Sequence, residues 1–160
     1  MQVARHEQGF TLLELLVVLT IVALVTTGVS FAIRDDRSTQ LEREALRISA
    51  MLESARAQSR TSGVPVRFTP SATGFEFTGI RAHKTDRADL TGTKPWMQSD
   101  TRVSIVFPAN EESLILGPEP MIGRQQLVLR LGDRRLVVAT DGLGPFEVVA
   151  SESEGGGSEQ

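Results

Sequence analysis

Glu14 stands four residues inside an apolar run that extends from Phe10 to Ile33, and no other side chain in the sequence is placed where its charge costs so much. An ionised carboxylate in a membrane-spanning helix costs on the order of several kcal/mol unless it finds a cation, takes up a proton or lies at the headgroup boundary, so the residue reads as functional. Other reactive chemistry is sparse. The two histidines are His6, near the start, and His83, alone in a polar stretch, so a Ser-His-Asp triad could draw only on His83. Asp86, Asp89 and Asp100 share that stretch and could in principle hold calcium, but they lack the alternation of an EF-hand loop. With no cysteine, disulfides and thiolate metal centres are excluded. The chain therefore reads as a structural subunit and not an enzyme, with no metal and no cofactor called for.

The element that must carry Glu14 is the apolar run itself. At about 1.5 Å per residue Phe10 to Ile33 covers roughly 36 Å as a helix, against a bilayer core of about 30 Å. Three membrane readings compete. A secretory signal has a shorter core and a small-residue cleavage site after it, for which Thr26-Thr27-Gly28 is a poor match. A plain signal anchor explains the length but not Glu14. The third reading has a short polar leader, 1–9, cut after Gly9, with the apolar segment 10–33 retained as a transmembrane helix.

Beyond Ile33 the chain turns polar and then regains helical periodicity. Leu41, Ala45, Ile48, Leu52 and Ala55 fall on one face at spacings of four and three, which defines an amphipathic helix over 34–62. Glu42, Arg43, Glu44, Arg47, Glu53, Arg56 and Arg60 fill much of the remainder and read as a solvated face. Gly28, Ser30 and residues 35–39 are the places where a bend would fall. Gly63 suits the helix C-cap, and Pro65 prevents resumption.

From 63 to 150 the period changes to two. Val64, Val66 and Phe68, then Phe75 and Phe77, then Val103, Ile105 and Phe107 each read as one face of a strand. Leu127 to Leu131 and Leu136 to Val138 flank Gly132-Asp133 as a hairpin, with shorter candidates at Leu114 to Leu116 and Phe146 to Val149. One antiparallel sheet covered by the Leu41–Ala55 stripe is the simplest product, giving an α+β fold. Residues 81–101 are polar and unpatterned, with Trp96 near their end. That loop either contacts a partner or folds Trp96 back to plug the small core. Residues 151–160 hold three Glu, three Gly and no large apolar side chain, and read as a disordered acidic tail. The net charge of −3 offers no basic field for nucleic acid.

Gly9-Phe10-Thr11-Leu12-Leu13-Glu14 resembles the N-terminal motif of the type IV prepilin and pseudopilin family: a short leader ending in Gly, an aromatic first mature residue and Glu as the fifth. The resemblance implies that a prepilin peptidase cuts between Gly9 and Phe10 and N-methylates Phe10. It also makes Glu14 the assembly carboxylate and gives the chain a pilin-like fold. The leader departs from the family's basic pattern, since Arg5 is offset by Glu7 and Gln8 precedes Gly9. Glu44 to Arg47, Leu52 to Gln58, Gly63 to Val66, Leu116 to Pro120 and Thr140 to Gly144 are similar to segments of the H-type minor pseudopilins of bacterial type II secretion. That resemblance implies a single-pass subunit of the inner membrane, its N-terminus cytoplasmic and its globular domain periplasmic. Its partners would be the major pseudopilin and the other minor pseudopilins of a tip complex. A minor pilin of a type IV pilus or DNA-uptake apparatus, and a signal-anchored periplasmic enzyme or binding module, are the rival readings. The acidic tail speaks against DNA uptake.

Overall fold

The structure, a computed structural model, describes residues 12–80 and 89–150, with the side chains of 25–35 and of 150 outside that description. The expected leader with Gly9 and Phe10, the loop residues His83 and Asp86, and the expected tail 151–160 all lie outside the described residues. The chain divides into two units, Met1–Asp36 and Arg37–Gln160.

One helix, α1, spans Leu12–Ser62. It stops where the sequence says it should. Gly63 takes a left-handed φ of 66°, and its N–H donates to Ser59 C=O at 3.0 Å. That is a glycine C-cap, satisfying a carbonyl which the helix end would otherwise leave unpaired. Among the described residues no helix is long and apolar enough to cross a membrane; the described side chains of the apolar run end at Leu24, whereas the expected span is 10–33.

In the second unit, among the described residues, eight strands follow α1: β1 (Arg67–Pro70), β2 (Gly74–Thr78), β3 (Lys94–Pro95), β4 (Arg102–Phe107), β5 (Leu114–Ile115), β6 (Gln125–Leu131), β7 (Arg134–Thr140) and β8 (Glu147–Ala150). They form two four-stranded antiparallel sheets, ordered β3-β2-β1-β5 and β4-β6-β7-β8, where the alternation alone suggested one. Short strands of period two do not reveal which neighbours pair. The expected hairpin is present, with Leu131 opposite Arg134 across Gly132-Asp133. Val64 and Val66 precede β1 instead of belonging to it, although Val66 is buried and its C=O accepts from Leu116 N–H at 2.8 Å. Phe107, expected inside, is 43% exposed because the pairing of β4 with β6 slips between Ile105 and Phe107 and re-aims the strand's end.

The core is the product of the helical stripe and the two sheets. Leu41, Ala45, Ile48, Leu52 and Ala55 are all at most 1% exposed and pack with Phe68, Phe75, Leu114, Leu127 and Leu129. Each Leu or Ile so buried contributes roughly 1.5 to 3 kcal/mol by removal from water. An aromatic group of Phe68, Phe75, Phe77 and Trp96, with centroids 5.0–5.8 Å apart, fills the side of the core nearest β1 and β2.

Candidate assembly surfaces

The first unit places Glu14 in the opening turn of α1, exposed, among large apolar side chains that are themselves open. Leu12, Leu13, Leu16, Leu19 and Leu24 are 61–85% exposed, and Leu15, Val17, Val18, Ile21 and Val22 are 44–55% exposed. A helix apolar on every side has no polar face to give to water, so lipid or other protein must cover it. Thr20 fits that demand. Its hydroxyl donates to Leu16 C=O at 3.0 Å and Val17 C=O at 2.8 Å, so the helix itself satisfies the polar group.

The reading of the helix charges as a solvated face holds for Glu42, Arg43 and Arg60, which are exposed, and fails for Glu44 and Arg56, 1% and 2% exposed. Both sit four residues from a stripe member, Glu44 before Ile48 and Arg56 after Leu52, which puts them on the covered side. Burial is tolerated because each finds partners from distant chain. Glu44 Oε2 accepts from Met97 N–H at 2.6 Å, and its Oε1 lies 3.2 Å from Arg47, which also donates to Pro95 C=O at 3.1 Å. These bonds hold the segment around β3 against α1. Trp96 on that segment is 5% exposed, donates its indole N–H to Ser71 C=O at 3.0 Å and lies 5.0 Å from the Phe75 ring. The indole thus serves the core, and it is Met97, 50% exposed, that the segment presents outward.

Arg56 acts as a clamp. It donates to Gly142 C=O at 2.6 Å, Gly144 C=O at 2.7 Å and Pro120 C=O at 3.4 Å, and stands 3.7 Å from Glu53. Glu53 in turn accepts from Phe146 N–H, and Ser49 donates to Phe146 C=O. The Thr140–Gly144 turn is pinned from within as well. Asp141 Oδ1 accepts from Leu143 N–H and Gly144 N–H, while Thr140 Oγ1 accepts from Gly142 N–H and donates to Gly144 C=O. Gly142 has φ 97°, and a Cβ there would stand 1.9 Å from Ile122 C=O, so the turn requires glycine. The N–H groups of Gly144 and then Leu143 hold the Asp141 carboxyl below the usual carboxylate range. The two loops joined by Arg56 present Met121 and Leu143, 68% and 69% exposed. A fixed turn carrying an open leucine can act as a docking point at low ordering cost.

Of the acidic loop residues Asp89 and Asp100 are described, and Asp86 lies outside the described residues. Asp89 is bound by Lys94 Nζ at 2.6 Å, Thr91 Oγ1 at 2.6 Å and Thr91 N–H at 3.0 Å, and those bonds, Lys94 first, hold its carboxyl far below the usual range. Asp100 receives the Ser99 hydroxyl at 3.3 Å, and among the described residues no cluster of three possible ligands occurs.

Residues 4–30 match the family of the prokaryotic N-terminal methylation motif. No curated protein matches the sequence. Among solved structures the chain is similar to the type IV minor pilin FimU of Pseudomonas aeruginosa. The match has a TM-score of 0.52 at 15% identity and covers 74% of this chain and 92% of that one. At that identity the likeness concerns the fold, and the fold is pilin-like: an N-terminal helix packed on antiparallel sheets.

Proposed function

We propose that the chain is a minor pseudopilin, a structural subunit of the periplasmic pseudopilus that drives type II protein secretion. The observation that carries this is the junction of a methylation motif over 4–30 with an exposed apolar helix and a pilin-like globular unit. Prepilin peptidase cuts after Gly9 and methylates Phe10. Residues 10–33 then lodge in the inner membrane with the globular unit in the periplasm. Cutting creates an α-amine on Phe10, and Glu14, one helical turn on, pairs with that amine in the same or a neighbouring subunit. Pairing offsets the cost of holding either charge in lipid and sets the axial register between helices.

Glu14→Val tests this by separating insertion from assembly. Loss of the carboxylate favours membrane residence by roughly 2 to 3 kcal/mol, so the variant accumulates in the inner membrane at least as well as wild type. Crosslinking to the neighbouring pseudopilin and secretion of the system's substrate fall markedly at matched protein levels. Unchanged crosslinking and secretion would remove the electrostatic mechanism. The likeness to FimU favours a second reading, a minor pilin of a type IV pilus. Deleting the gene separates the two: lost secretion with intact pili supports the first, and lost pili with intact secretion the second.

A further inference from the structure

The outer edge of β5 is an unfinished ladder. Leu116 N–H donates to Val66 C=O, and the register sets Ile115 opposite Arg67 and Leu114 opposite Phe68. Hydrogen-bonded pairs alternate along an antiparallel ladder, so Leu114 bonds to β1 while the N–H and C=O of Ile115 point away from it. β5 is also the last strand of its sheet. An outward N–H and C=O on an edge strand are a template for a further strand.

A side chain already fills part of that position. Gln125 Nε2 donates to Ile115 C=O at 2.7 Å; the residue is 5% exposed, and its Oε1 is buried with no partner among the described residues. A carboxamide carries the same donor and acceptor as a peptide unit, so Gln125 occupies one rung of the absent strand and leaves an acceptor wanting an N–H. Both residues line a cleft of about 390 Å³ together with Met121 and Ile122, with Glu111 and Glu119 at its wall. The cleft's one arginine, Arg124, lies 5.5 Å over the Phe107 ring.

We infer that this edge receives an extended segment of a neighbouring protein, alternating apolar residues with a Lys or Arg at its ends. Its backbone accepts from Ile115 N–H, and a turn of the enclosed Gln125 carboxamide lets Oε1 accept a strand N–H. Its apolar side chains cover Ile115 and Met121, 48% and 68% exposed, and its cations meet Glu111 and Glu119. The inference goes beyond the pseudopilin reading and does not depend on it.

The test is a nuclear magnetic resonance titration of the full ¹⁵N-labelled chain in detergent micelles. The probes are the capped peptides Lys-Val-Thr-Val-Lys and Glu-Val-Thr-Val-Glu. The basic peptide is expected to shift the Ile115 amide and slow its hydrogen exchange, with affinity at least about tenfold above the acidic one. Ile115→Pro deletes the outward N–H while sparing the bonds to β1, a substitution edge strands accept; it should keep the melting temperature and lose binding about tenfold. The proposal is overturned if Ile115 does not respond at millimolar basic peptide. It is equally overturned if the acidic peptide binds as tightly, or if Ile115→Pro binds like wild type.

Discussion

From Leu12 to Leu24 the large apolar side chains are 44–85% exposed, whereas Leu41, Ala45, Ile48, Leu52 and Ala55 of the same helix are shut from water. Charge is distributed in the opposite sense, for Glu14 stands open while Glu44 and Arg56 are buried. The first segment leaves its apolar surface to surroundings outside the chain. The second buries its apolar stripe and two of its charges, with Arg56 spread over three carbonyls. A charge on the covered side of a helix is kept because distant chain returns to meet it.

The sharpest way to break this contrast is at Gly9. Gly9→Val, expressed with the matching prepilin peptidase, is expected to keep its leader completely, read by intact mass. The second unit's stability should move by less than about 0.5 kcal/mol. Normal cleavage of the variant would end the processing assignment. Arg56→Ala should reverse the pattern. It removes a buried cation and strands its carbonyl partners, costing roughly 3 kcal/mol in urea unfolding while leader removal stays normal. A loss within experimental error would mean that the loops hold themselves.

The smallest expected effect sharpens the same boundary through pH. Asp141 and Asp89 have folded-state pKa values below their unfolded ones. Their contribution is therefore fully present above the unfolded value of about 3.9 and is lost as pH falls through the folded value. Asp141→Ala should melt below wild type near neutrality, and the gap should close in acid. A gap that stays constant down to strongly acidic pH would show that the carboxylate's charge plays no part.

Legibility in the sequence followed locality. The helical stripe, the Gly63 cap and the Gly132-Asp133 hairpin depend on residues within a few positions of one another, and those were readable. Glu44 and Arg56 were misread because their partners, Met97, Pro120, Gly142 and Gly144, lie far along the chain. One local signal was available, since both stand four residues from the stripe, at Ile48 and Leu52. The division into two sheets left no such trace, because pairing of β5 with β1 and of β4 with β6 is long-range. The outward edge of Ile115 depends on that same pairing. The readings of Gly9 and Glu14 rest instead on consecutive residues, within the stretch 4–30 that matches the methylation motif.

Trp96 has an optical consequence. It is the sole tryptophan, the chain has no tyrosine, and its indole is enclosed between Phe75 and the Ser71 carbonyl. Emission excited at the red edge of the indole band, where phenylalanine does not absorb, therefore arises from one chromophore in the sheet-bearing unit. A spectrum that reddens reports the release of the Lys94–Met97 segment from Glu44 and Arg47, without any label, even when the protein sits in lipid.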